Sequence, residues 1–137
     1  MSITILIDFD GTCVTHNFPA IGSEIGAAPV LRELVENNHK LILFTMRGSG
    51  ELSQKLFGND GLQEAIDWFK NNDIPLYGIQ TNPTQNKWTN SPKAHGQLII
   101  DDTALGIPLI IEDDERPYVD WKRVREMLVN YNLIEDK

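Results

Sequence analysis

The 137-residue chain carries 12 basic and 20 acidic residues, a net charge of −8, and its length fits one domain over residues 1–137. With 41% hydrophobic and 23% charged residues it lies in the globular range, which excludes wholesale disorder. No apolar run approaches the roughly 20 residues of a membrane helix, Met1-Ser2-Ile3-Thr4-Ile5 has no basic start of a secretory signal, and the single cysteine, Cys13, excludes an internal disulfide, so the chain reads as cytoplasmic.

In chain order, residues 3–9 are almost continuously apolar, broken only by Thr4 and Asp8, as in a strand buried on both faces of a parallel sheet. Residues 11–26 hold three glycines and a proline and read as a loop with room for a short hairpin. Pro29 suits a first helical turn, and Leu31, Leu34 and Val35 follow at helical spacing up to Asn37-Asn38. A second buried strand covers 40–46. Leu62, Ala65, Ile66 and Phe69 at i, i+3, i+4 and i+7 predict an amphipathic helix closing near Asn71-Asn72. A short strand at 76–79, a Pro/Asn/Thr-rich loop at 81–92 and a third apolar strand at Leu98–Ile100 come next. After a minor apolar run at 109–111, Trp121, Val124, Leu128 and Tyr131 mark a last helix. This alternation predicts a three-layer α/β domain around a mostly parallel sheet, with chemistry gathered outside the carboxyl ends of its strands.

Those ends carry a pattern. The first strand runs into Asp8-Phe9-Asp10-Gly11-Thr12, and strand alternation places Asp8 and Asp10 on one side. Two carboxylates so close repel, which raises affinity for a divalent cation or a proton. A tight Asp-Gly turn accounts for Asp10 but leaves Asp8 as a charge in a buried strand, costly without a partner. The second strand runs into Thr45-Met46-Arg47-Gly48, where a hydroxyl, loop amides and an arginine suit an oxyanion. The third ends in Asp101-Asp102, a further carboxylate pair.

This set resembles the haloacid dehalogenase (HAD) superfamily of phosphohydrolases, whose signature is Asp-x-Asp-x-Thr, then a Thr or Ser ending a strand, then a Lys, then paired Asp. Asp8 to Thr12 match the first motif, Thr45 the second and Asp101-Asp102 the fourth. His16-Asn17-Phe18-Pro19-Ala20-Ile21-Gly22 and Ser91-Pro92-Lys93 resemble a small capless branch, from which residues 47–61 depart by their extra length. The resemblance implies a Rossmann-like core without a cap domain and a Mg²⁺-dependent phosphomonoester phosphatase. In it Asp8 is the nucleophile that forms an aspartyl-phosphate, and Asp10 protonates the leaving oxygen and later deprotonates water. Thr45, Met46, Arg47 and Lys93 bind the phosphate. Mg²⁺ is held by the Asp8 carboxylate, the Asp10 carbonyl and the Asp101 carboxylate, with Asp102 orienting a metal water. Lys87 also lies in the lysine interval, but Lys93 sits in the matching Ser-Pro-Lys, eight residues before Asp101.

Competing readings are weaker. A cysteine phosphatase needs Cys-x5-Arg, and the residue six places after Cys13 is Pro19, so Cys13 reads as a small hydrophobe. His16, His39 and His95 show no zinc spacing, and His16 reads as a structural or solvated loop histidine. Gly48-Ser49-Gly50 lacks the ending of a phosphate loop. Trp68 and Trp121 fall on helix faces, whereas Trp88 lies in a polar loop, where a ligand or partner subunit would meet it. A non-catalytic module binding a phosphorylated ligand or a protein on the same fold is the alternative function.

Partners follow from charge and spacing. Ten of the 20 acidic residues lie in the last 37, including Glu112-Asp113-Asp114-Glu115, which reads as a solvated loop. With no basic stripe to neutralise phosphates, neither long nucleic acid nor a membrane is an expected partner. The 37 positions from Asp8 to Thr45 and the 48 from Thr45 to Lys93 are too few for a folded cap beside the elements they hold. The site is therefore expected to be open, with a large substrate or a neighbouring subunit of a homo-oligomer as its lid.

Overall fold

The computed structural model describes residues 1–136. Four parallel strands, β1 (Thr4–Ile7), β2 (Lys40–Leu43), β3 (Gly78–Ile79) and β4 (Leu98–Ile100), form one sheet in the order β3-β2-β1-β4. Helix α1 (Ala27–Glu36) joins β1 to β2; α2 (Gly50–Phe57) and α3 (Gly61–Asn71) join β2 to β3. A turn of 3-10 helix, Gln85–Lys87, interrupts the loop before β4, and a two-stranded antiparallel hairpin, β5 (Leu109–Ile110) and β6 (Tyr118–Val119), precedes α4 (Trp121–Asn130). No described helix is long and apolar enough to cross a membrane.

Strand alternation sorts the core. Ile5 and Ile7 of β1 and Leu41 and Leu43 of β2 pack with Leu31 and Leu34 of α1, Ala65, Trp68 and Phe69 of α3, and Trp121, Val124 and Leu128 of α4. Leu6 and Ile42 point the other way into a small apolar cluster with Ala94, with Tyr77 at its margin. The expected third layer is therefore loop and a single 3-10 turn rather than helices. The topology accounts for this: the chain steps outward from β1 through β2 to β3 with helices on one face, and the return to β4 is a loop whose polar residues bury little. Ile99 is consequently 49% exposed.

Other departures are local. Residues 47–61, anticipated only as extra length, contain α2, whose Ser53 Oγ donates to the Asn59 carbonyl at 2.7 Å and accepts from the Gly61 amide at 3.2 Å. The loop after β1 has the expected hairpin character, with Val14 bridging both Asp10 and Glu24. The acidic run 112–115 is exposed between β5 and β6. Tyr131, placed by periodicity on the buried face of the last helix, is the exposed cap residue of α4.

Helix α4 also anchors the loop that follows β1. Trp121 is 2% exposed, and its indole N–H donates to the carbonyl of the fully buried Thr12 at 2.6 Å. Replacing Trp121 with Phe keeps most of the packing but leaves that carbonyl unpaired, a desolvation cost of about 1–3 kcal/mol. Urea denaturation of Trp121→Phe checks this, and an unchanged midpoint would contradict it.

Candidate active site

The strand order reverses between β1 and β4: β1 is followed outward by β2 and β3, and β4 lies on its other side. Ligands of open parallel sheets bind outside the carboxyl ends of the strands at such a switch point. Ile7 pairs with Ile100 in the parallel register, so Asp8 and Asp101 each stand one residue beyond the last pair. The Asp8 amide continues the ladder by donating to the Ile100 carbonyl at 3.0 Å. Carboxylate oxygens of Asp8, Asp101 and Asp102, all three partly buried, lie within 4.8 Å of one another.

Little offsets this negative charge. Thr12 Oγ1 donates to Asp8 Oδ2 at 2.8 Å and accepts from the Asp102 amide at 3.0 Å. The Asp8 carboxyl is pushed up to about 8, chiefly by burial; the Thr12 hydrogen bond opposes the shift, while Asp102 and Asp101 reinforce it. Among the described residues no ion pair reaches Asp8. Three hard oxygen donors, with only the His16 ring against one of them, could hold a divalent ion. Asp102 thus stands inside the cluster of possible ligands, where it was expected only to orient a metal water.

His16 closes one side. Its Nε2 bonds Asp102 Oδ2 at 2.8 Å, an arrangement that orients a carboxylate near a metal site. Gly11 makes room for it. With φ at +80° its backbone is left-handed, and a Cβ there would collide with both the His16 ring and the Asp102 carboxylate. The glycine read as turn chemistry is therefore also a steric requirement of the site.

Asp10 and Arg47 depart from the expected arrangement. The strand ends at Ile7, so simple alternation no longer holds Asp10 beside Asp8, and its carboxylate takes a different partner. Arg47 Nε donates to Asp10 Oδ2 and Nη2 to Oδ1, both at 2.8 Å. The remaining guanidinium N–H groups go to the carbonyls of Ala20 at 2.7 Å, Gly61 at 3.2 Å and Pro19 at 3.3 Å. The guanidinium also lies 5.0 Å from the ring centroids of Phe9 and Phe18. All five donors are used and Arg47 is 2% exposed, so it does not present a donor to substrate as the sequence reading expected. Asp10, expected to carry the catalytic proton, has both carboxylate oxygens engaged by Arg47; these bonds do not involve the backbone carbonyl through which it was expected to help hold the metal.

Thr45 follows β2, whose ladder with β1 is continued by the Phe44 amide donating to the Ile7 carbonyl at 2.8 Å. Thr45 Oγ1 accepts from the Arg47 amide at 3.2 Å, leaving the hydroxyl proton free to be directed elsewhere. The side chain of Met46 is 98% exposed. Gln80, which sequence reasoning missed, clamps Thr45: Thr45 N–H donates to Oε1 at 2.9 Å, and Nε2 donates to the Thr45 carbonyl at 2.6 Å. No motif marks Gln80; it follows β3 at φ 64° and meets Thr45 only through the β2–β3 pairing. Lys93 is not brought to the carboxylates. It is exposed, its carbonyl accepts from Gln85 Nε2 at 3.0 Å, and neither it nor Lys87 forms an ion pair among the described residues. Lys93 lines a cavity of about 290 Å³ with Leu6, Trp88 and His95 on the loop-covered face. The Cys13 thiol is fully buried, donates to the Asp8 carbonyl at 3.3 Å and is raised well above its ordinary value by burial first, so it is held protonated.

Together these features define an α/β protein with a parallel sheet and a carboxylate cluster at its switch point. No family model and no curated protein matches the chain. It is similar over its whole length to a solved structure, that of a conserved protein from Bacteroides thetaiotaomicron, with 30% identity, 100% coverage of both chains and a TM-score of 0.70. The chain belongs to the same family as that protein.

The position of Asp8 has a consequence for stability. Its folded-state value lies above the ordinary 3.8, so between pH 4 and 8 the folded protein binds more protons than the unfolded chain and loses stability as pH rises. In metal-free protein, Asp8→Asn removes this loss. Thermal melts in chelator are expected to show Asp8→Asn gaining on the wild type from pH 4 to pH 8, and a difference that stays constant across that range would contradict it.

Proposed function

We propose that the chain is a Mg²⁺-dependent phosphohydrolase of the haloacid dehalogenase type, with a Rossmann-like core and Asp8 as its nucleophile. The observation that carries this reading is the unpaired, partly buried Asp8 at the end of β1, with Asp101 and Asp102 within 4.8 Å. A structural carboxylate would be expected to have a cation for a partner, whereas a nucleophile beside a metal must keep an oxygen open. The four-stranded parallel sheet, the switch point and the match of Asp8, Asp10, Thr12, Thr45 and Asp101 to the motifs support it further.

Asp8, Asp101 and Asp102 would hold the metal. A bound ion would supply positive charge to offset the phosphoryl oxygens and would favour the ionised carboxylate of Asp8. The chain's own residues do the rest. Thr12 fixes one Asp8 oxygen through its hydroxyl and leaves the other for attack. Thr45, held rigid by Gln80, directs its hydroxyl to a phosphoryl oxygen. Asp8 displaces the leaving group from phosphorus, and water then attacks the aspartyl-phosphate, dividing one displacement into two.

Release of inorganic phosphate from a panel of phosphate esters and anhydrides, with and without Mg²⁺, tests this. Asp8→Asn should lose several powers of ten in turnover while keeping its fold by circular dichroism. Retention of more than about a hundredth of the wild-type rate would remove Asp8 as nucleophile. Calorimetry gives an independent check: Mg²⁺ should bind the wild type and bind Asp101→Ala much more weakly. Binding without any turnover would favour the non-catalytic module instead.

A further inference from the structure

We infer that the Arg47–Asp10 pair limits this site to phosphoryl donors whose leaving group departs without a proton, acyl phosphates above all. The inference rests on the phosphohydrolase reading and deepens it. An alkyl phosphate expels an alkoxide, which must be protonated as the bond to phosphorus breaks. A positioned carboxylic acid typically contributes about 10²–10⁴-fold to such a step. For Asp10 to act in this way, one of its oxygens must carry a proton aimed at the leaving group. Both oxygens instead accept guanidinium N–H groups at 2.8 Å in a bidentate fork, the strongest common form of charge-assisted hydrogen bond.

The fork does not open easily. Arg47 cannot follow Asp10 toward a substrate, because its other three N–H groups hold the carbonyls of Pro19, Ala20 and Gly61. Phe9 and Phe18 each lie 5.0 Å from the guanidinium, and its side chain is 1% exposed. Moving Asp10 alone would leave the buried guanidinium only the more exposed Glu64 carboxylate, 4.0 Å from Nη1, as counter-charge, which is unfavourable. Asp10 is itself tied to the loop through its bridge to Val14. Asp10 is therefore a positioning residue for the loop after β1.

An acyl phosphate needs no acid. An Asp8 oxygen forms a bond to phosphorus while the bond from phosphorus to the acyl oxygen breaks, and the electron pair leaves on a carboxylate stable at neutral pH. Water then bonds to phosphorus as the bond to the Asp8 oxygen breaks. Asp8 regains its carboxylate, and both protons of the water leave on dihydrogen phosphate.

The test compares acetyl phosphate, 4-nitrophenyl phosphate and glycerol phosphate on the full chain with Mg²⁺, after subtracting spontaneous hydrolysis. We expect kcat/KM for acetyl phosphate and 4-nitrophenyl phosphate to exceed that for glycerol phosphate by about 10²-fold or more, the factor a missing general acid leaves. Arg47→Lys, which cannot make the fork, should raise the ratio of glycerol phosphate to acetyl phosphate activity about tenfold or more, a readout insensitive to partial loss of folded protein. Glycerol phosphate turned over within tenfold of 4-nitrophenyl phosphate by the wild type would overturn the inference and leave the phosphohydrolase reading intact. No phosphate release from any of the three would overturn both.

Discussion

The arrangement of this protein turns on a carboxylate that the fold takes partly out of water and does not pair. Asp8 ends β1 in the middle of a parallel sheet, one residue past its last pairing with β4, and two further carboxylates stand beside it. Burial of such a group is costly unless it is neutralised, and here a threonine hydroxyl is the nearest compensation. The surroundings keep that geometry fixed. Trp121 holds the Thr12 backbone, the Asp102 amide holds its hydroxyl, and Gly11 leaves the space that His16 needs to reach Asp102. Three elements distant in sequence thus converge on a few ångströms of strand end.

Two residues further on, Asp10 receives the opposite treatment. Every donor of a buried arginine is used in holding it and the carbonyls around it. The contrast between a carboxylate without an ion pair and one gripped by a buried arginine falls within a single five-residue motif. Among the described residues Asp8 has no ion pair, whereas Asp10 is held by two guanidinium donors. Through Arg47 the loop after β1 is also tied to the start of α3, so that the shape of the site depends on packing well beyond the motif itself.

Much of this was legible in the residues. Continuous apolar runs located the strands of the sheet and period-3.6 patterns located α1, α3 and α4 but not α2, and the parallel-sheet rule placed Asp8 and Asp101 at one crevice. Those signals are local or follow from sheet geometry. The direction of Arg47 was not legible, because a loop arginine after a strand looks the same whether it faces substrate or a carboxylate 37 positions earlier in the chain. Gln80 was hidden for the same reason: it meets Thr45 only because β3 pairs with β2. The missing helical layer followed from a Pro- and Asn-rich stretch read correctly as loop, yet alternation of strands and helices elsewhere suggested that both faces would be covered. Lys93 shows the limit of motif spacing, which places a residue along the chain but does not say where its ammonium lies.

The most direct test of Asp8 as nucleophile is chemical trapping. Wild-type protein mixed with acetyl phosphate and Mg²⁺, quenched and reduced with borohydride, converts an aspartyl-phosphate to homoserine, and peptide mass spectrometry locates the change. Conversion at position 8 alone, dependent on Mg²⁺, is the result expected. Phosphate release during the same reaction with Asp8 unmodified, or with the change at Asp10, Asp101 or Asp102, would contradict it.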